Sequence, residues 1–271
     1  MSQKCRVAAA LIIMNEVKKK RKRSTWVRKW ISRRGEDGAH AKLLRELFEE
    51  DTSSYKNSVC MSPEDFHYLL EIVSPKIRKR DTQLRKAITP SERLAVTLRF
   101  LVSGDSYHSL MHLFRIPVPT ISIIVPEVCE ALYTSLQEDF LKVPNSNEEW
   151  NKVADEFQEK CQFPNCMGAI DGRHIVLKQP QNSGSLSFNY KGTNSIVLMA
   201  LVDANYKFLY IDVGCNGRIS DGGVFANCSL SQALENNILN VPNGRPLDYT
   251  RSNRQIPLVA IGDDAFPLKG I

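Results

Sequence analysis

Met167-Gly168-Ala169-Ile170-Asp171-Gly172-Arg173-His174-Ile175-Val176-Leu177 decides how this chain is read. An acid followed by glycine sits between two apolar runs, and short apolar runs bounded by turn residues mark strands. Ser195 to Val202 predicts a second strand and Phe208 to Val213 a third. The intervening Asp203-Ala204-Asn205 favours a turn, so the two form an antiparallel hairpin. From about Gly223 the period turns helical, through Val224, Phe225, Leu230 and Leu234. After a loop rich in Pro, Asn and Arg, Ile256 to Ile261 predicts another buried strand. Strand, hairpin, helix and strand in that order predict a mixed α/β sheet covered by helices.

Upstream the chain is helical. Ser62-Pro63-Glu64-Asp65 offers a capping serine, a proline at the first helical position and acids in the first turn. Phe66, Leu69, Leu70 and Val73 then make an apolar face that Pro75 should end. Thr89-Pro90-Ser91-Glu92 is a capping box, and its helix carries Leu94, Leu98 and Leu101 on one stripe to Gly104. A short helix, about Tyr107 to Phe114, meets the tight linker Arg115-Ile116-Pro117, and a longer helix runs from Thr120 to Leu136, bent at Pro126. This outline fits a helix-turn-helix unit, and equally a generic three-helix packing. Pro119 to Glu127, the would-be recognition helix, has no Arg or Lys, which weakens direct base readout; Thr120 and Ser122 remain candidates for phosphate. Three regions result: a basic, partly helical segment 1–58 in which Leu43, Leu44, Leu47 and Phe48 form a docking helix, a helical region 59–160, and the sheet domain 161–271.

Hydrophobic residues make up 42% of the 271 and charged residues 24%, enough to build a substantial core. The net charge of +6 permits a nucleic-acid partner. Lys18-Lys19-Lys20-Arg21-Lys22-Arg23 is an unbroken cationic run, a solvated segment suited to polyanions or an import receptor. Seven scattered cysteines without a CxxC pair suggest a reducing compartment, and Cys161 with Cys166 lacks the second pair a zinc site needs. The apolar stretch Val7 to Met14 is too short to span a bilayer and precedes the basic run, so no membrane segment and no export signal are expected.

Asp171 ends one apolar strand and Asp263, with Asp264 beside it, ends another. Two such carboxylates on neighbouring strands would repel and lose hydration unless a hard divalent cation, Mg²⁺ or Mn²⁺, bridged them. The same residues also read as ordinary strand-end turns. Asp221, in Ser220-Asp221-Gly222-Gly223, reads as the N-cap of the following helix. His174, three residues beyond Asp171, reads as a hydrogen-bonding or core histidine rather than a ligand.

Several motifs in series resemble the Harbinger (PIF) transposases and the nuclease-like proteins domesticated from them. They are Gly168-Ala169-Ile170-Asp171-Gly172-Arg173-His174-Ile175, Asn189-Tyr190-Lys191-Gly192, Ser220-Asp221-Gly222-Gly223-Val224-Phe225 and Gly262-Asp263-Asp264-Ala265-Phe266-Pro267-Leu268. Upstream, Pro90-Ser91-Glu92-Arg93-Leu94, Phe114-Arg115-Ile116 and Thr120-Ile121-Ser122 are similar to the family's helical segment. The resemblance implies an RNase H-like fold with a DDE triad that acts on DNA phosphodiesters through a divalent metal. Asp171 matches the first carboxylate and Asp263 the second, while Asp221 matches an acidic position sometimes counted with the metal site, giving the metal set Asp171, Asp221 and Asp263. It further implies nuclear location and, often, a separate Myb-like DNA-binding partner. The family's third carboxylate, a glutamate in a Val-Glu-Arg motif on a later helix, has no counterpart after Asp263, and Glu235 precedes the last strand and matches nothing. The expectation is therefore a C-terminally incomplete nuclease domain with impaired turnover, or a non-catalytic DNA-binding or scaffold protein on the same fold.

Overall fold

The structure is a computed structural model that describes residues 27–83, 85–246 and 255–266. The basic run Lys18 to Arg23, the apolar stretch Val7 to Met14, and Pro267 and Leu268 lie outside those residues. The chain divides into two compact units, 1–135 and 136–271.

The first unit is all helical: α1 (Lys29–Ser32), α2 (Arg34–Asp37), α3 (Leu43–Glu50), α4 (Thr52–Val59), α5 (Pro63–Ile77), α6 (Pro90–Ser103), α7 (Tyr107–Phe114) and α8 (Val118–Phe140), the last running past the division. The predicted caps form: Ser62 Oγ accepts from Asp65 N, and Thr89 and Glu92 close a reciprocal capping box. Arg34, tied to Glu92 at 2.9 Å, pins α2 to the start of α6. Helix α5 does not stop at Pro75 but runs through it to Ile77. Both Pro75 and Glu71 are exposed, so the carbonyl that loses its N–H partner has water in its place. On α6, Leu94 and Leu98 are buried, whereas Leu101 near the helix end is 56% exposed. Arg115 adopts a left-handed conformation (φ 55°) after α7, and the chain bends by 100° between α7 and α8, a helix-turn-helix angle. Among the described residues no single helix is long and apolar enough to cross a membrane.

The second unit opens with α9 (Asn147–Cys161), capped by Ser146. The compact units divide after Ser135, and Trp150, Val153, Ala154 and Phe157 of α9 share the core of the sheet. That sheet contains β1 (Cys166–Val176), β2 (Ser195–Val202), β3 (Phe208–Asn216) and β4 (Val259–Ile261) in the order β3-β2-β1-β4. β1 and β2 run antiparallel from Ala169 opposite Val202 to Val176 opposite Ser195, and β2 and β3 form the predicted hairpin. Asp203 Oδ1 builds its turn by accepting from Asn205 N and Lys207 N, both at 2.8 Å. β1 and β4 run parallel, with Ala169 opposite Ile261. The mixed sheet is that of the predicted α/β class.

Two details differ from expectation. The helical stretch after β3 is two short helices, α10 (Asp221–Asn227) and α11 (Ser229–Glu235), because Cys228 leaves helical geometry and its Sγ caps the second. The last strand is shorter than Ile256 to Ile261 and is not buried: Leu258 is covered, but Val259 is 40% exposed. β4 pairs only with β1 among the described residues, so the apolar run there lies at a sheet edge.

Trp150 is fully buried, and its Nε1 donates to the Leu239 carbonyl at 2.8 Å, joining α9 to the segment after α11. Trp150→Ala should destabilise the sheet unit by about 3–5 kcal/mol, read as a lower urea midpoint for the transition that reports on the sheet.

Candidate active site

The candidate site is organised around the edge of β1. Its last pairing with β4 is Ala169 opposite Ile261, and adjacent strands lie about 4.8 Å apart. Asp171, in the middle of β1, and Asp263, just past the end of β4, each lie two residues beyond that pair, on the side of the sheet that two-residue alternation gives to Ala169 and Ile261. Gly262 and Ile170 occupy the opposite side: a Cβ on Gly262 would lie 3.1 Å from Ile170 Cγ2 and 2.9 Å from the Phe266 ring. Both aspartates are exposed. Asp171 Oδ1 accepts from Gly172 N at 2.8 Å, and Asp263 Oδ1 accepts from Ala265 N at 3.1 Å. The turn role foreseen for Asp263 is therefore real and uses one oxygen of its carboxylate.

Asp221 arrives differently. It is the first residue of α10, but the cap is Ser220, whose Oγ accepts from Gly223 N. The N-cap reading of Asp221 is thereby corrected: serine one position earlier has the extended backbone (ψ 155°) that a cap requires. The freed Asp221 carboxylate lies directly against the backbone of Gly172. A Cβ built there would be 2.2 Å from Asp221 Oδ1, so only glycine lets this acid in. By alternation Gly172 faces away from Asp171, so Asp221 approaches from the other side of the strand. Asp221 Oδ1 is buried and has no hydrogen-bond partner among the described residues. Burial raises the Asp221 pKa; His174 opposes the rise, Asp171 and Asp263 reinforce it, and Lys191 opposes it.

Around these acids runs a polar network that includes His174 and Asn189 of the quoted motifs. His174 Nδ1 is 2.9 Å from Ser195 Oγ, which also accepts from Asn189 Nδ2 at 2.8 Å. Asn189 and Ser195 are buried polar residues that no periodicity would single out. The hydrogen-bonding role read for His174 is the one seen.

The donor set suits a hard cation: Asp221 lies in electrostatic reach of both Asp171 and Asp263, and one of its own oxygens is buried without a donor among the described residues. Asp171 and Asp263 are brought together, while Asp221 stays across the strand. Among the described residues no three His, Cys, Asp or Glu side chains are gathered closely enough to hold a metal ion. Cys161 and Cys166 are no alternative, since Cys161 is exposed and burial pushes the Cys166 thiol up to about 11, away from the thiolate a metal needs.

The sequence comparisons agree with this four-stranded mixed sheet. Residues 170–271 match the family described as DDE superfamily endonuclease, whose domain implies an RNase H-like fold. The chain is similar to proteins of the Harbinger transposase-derived nuclease group. It is 28% identical over 198 residues to HARBI1 of Homo sapiens, named as a candidate nuclease, covering 72% of this chain and 56% of that protein. The HARBI1 of Rattus norvegicus shows the same identity and coverage. An ALP1-like protein of Arabidopsis thaliana is 25% identical over 224 residues, covering 80% of this chain and 53% of its own length. The chain thus spans about half the length of the curated relatives it matches. No solved structure matches it.

The raised Asp221 pKa has a definite sign. The folded state holds this proton more tightly than the unfolded state, so ionised Asp221 destabilises the fold above its raised pKa and the penalty vanishes as pH falls through it. Asp221→Asn keeps the Ser220 cap and should melt at a higher temperature than wild type at neutral pH. The gap should close in melts taken at progressively lower pH.

Proposed function

We propose that the sheet unit is a metal-dependent site acting on DNA phosphodiester bonds, with Asp171 and Asp263 as the catalytic pair and Asp221 as a further acid of the metal set. The observation that carries this reading is the parallel register of β1 with β4, which delivers two exposed carboxylates to one side of the sheet. When bound, Mg²⁺ or Mn²⁺ would polarise a phosphoryl oxygen and activate a water or 3′-hydroxyl. Asp171 and Asp263 supply the oxygens that hold and orient it; Asp221, through the Gly172 window, adds negative potential behind them. With Asp171 and Asp263 on that side and Asp221 behind the strand, the described acids alone hold the cation weakly. Location in the nucleus, by way of the Lys18 to Arg23 run, and a Myb-like DNA-binding partner belong to the same proposal.

In the presence of Mg²⁺ the chain should nick supercoiled plasmid slowly, and Asp171→Ala and Asp263→Ala should each reduce nicking to the level seen with EDTA. Equal nicking by wild type and both variants would assign the activity elsewhere.

A second reading, DNA binding without cleavage, is favoured by the helical unit. The α7–α8 bend has a helix-turn-helix angle, yet the exposed face at the start of α8 presents Pro119, Ser122, Ile123 and Pro126, and Ser122 Oγ donates to the Pro119 carbonyl. Positive charge sits instead in the loop between α5 and α6, where Arg78, Lys79, Arg80, Arg85 and Lys86 are all exposed. Lys79 spends its charge on Glu127, at 3.3 Å. On this reading the loop contacts phosphate. Replacing Arg78 and Arg80 with Gln should weaken duplex binding and lower the slope of log affinity against log salt by about 2; an unchanged slope would remove the loop from the interface.

A further inference from the structure

The loop that leads into β2 is built with more care than a connection needs. Asn189 is 3% exposed, and its side chain holds the loop from within. Oδ1 accepts from Lys191 N at 3.0 Å and Thr193 N at 3.1 Å, while Nδ2 donates to Thr193 Oγ1 and Ser195 Oγ. Asn189 N also donates to the Thr193 carbonyl at 2.8 Å, and Gly192 takes φ +76° to close the turn. Such a loop loses little entropy when something binds to it.

What this loop displays is a tyrosine in water. Tyr190 is 81% exposed, so folding gains little from its ring. Tyr206 is more exposed still, but it occupies the β2–β3 hairpin tip with φ 60° and no ring contact is recorded for it among the described residues. Tyr190 is flanked instead. The His174 ring stands edge-on to it at 5.5 Å, and Lys191 Nζ lies 5.2 Å from its centroid. The loop is also registered to the acidic site, because Ser195 Oγ bonds both Asn189 and His174. His174 stands three residues along β1 from Asp171, about 10 Å at strand rise.

We infer that Tyr190 and Lys191 form a nucleotide platform beside the aspartates, the tyrosine face stacking an unpaired base of a DNA strand and the lysine meeting its phosphate. Every base has a π-face, so stacking on an exposed aromatic is tolerant of sequence, and a flexible ammonium serves as a point charge for a phosphate. The cationic flank separates this patch from an apolar protein-docking surface. Electrostatics agree: His174 and Lys191, the two groups around the ring, are the same two that draw down the Asp221 carboxylate. Phosphate brought there would lie next to the acids, where the proposed cation is needed. The inference rests on the nuclease reading for its substrate class and deepens it by naming where a strand is held.

The test is binding of a fluorescein-labelled single-stranded oligonucleotide, and quenching of a 2-aminopurine-containing one, by the full chain in EDTA. Tyr190→Ala should weaken binding about tenfold and abolish quenching, Tyr190→Phe should restore both, and melts should stay unchanged because the ring is exposed. Lys191→Gln should lower the salt slope by about 0.7. If Tyr190→Ala binds and quenches like wild type while Asp171→Ala still abolishes nicking, the platform is wrong and the nuclease reading stands. If wild type binds no oligonucleotide and nicks no plasmid, both fall together. Binding unaffected by Tyr190→Ala, with loss of a protein contact instead, would make the patch a protein-docking surface and overturn the platform.

Discussion

The parallel pairing of β1 with β4 is the constraint on which the rest of the second unit depends. Parallel neighbours cannot be joined by a tight turn, so the chain between β1 and β4 must leave through β2, β3, α10 and α11 and return. That excursion covers the sheet and brings Asp263, remote in sequence, back beside the strand that carries Asp171. Two glycines make the junction possible. Gly262 leaves room for Ile170 and the Phe266 ring, and Gly172 leaves room for Asp221. Each stands next to an aspartate of the site, so the small residues set the spacing and the acids occupy it.

The charge arrangement works against the stability of the fold. Asp221 is partly desolvated, has an oxygen with no donor among the described residues, and feels Asp171 and Asp263 as like charges. A structural role would be served better by asparagine or serine. His174 and Lys191 offset part of the repulsion. Strain of this kind concentrates where a protein binds an oppositely charged ligand.

Much of this was legible in the sequence because it is local. Caps at Ser62 and Thr89, the Asp203 turn and the alternation around Asp171 are set by residues within a few positions of one another. What escaped was set by tertiary context. Pro75 does not end α5, since its exposed side tolerates the lost hydrogen bond. Ser220 rather than Asp221 caps α10, a choice between adjacent residues that spacing could not make. The apolar composition of Ile256 to Ile261 suggested burial, but an edge position exposes Val259. Ser195 and Gly172 matter through partners distant along the chain, His174 and Asp221, so no window of sequence displays those contacts.

The central claim is geometric, and a crystal of this chain soaked in Mn²⁺ tests it most directly through anomalous scattering. The account predicts a peak bounded by the carboxylates of Asp171 and Asp263 on one side of the sheet, with Asp221 behind Gly172. Carboxylates found on opposite sides of the sheet, or a fully occupied peak elsewhere with none between them, would contradict it.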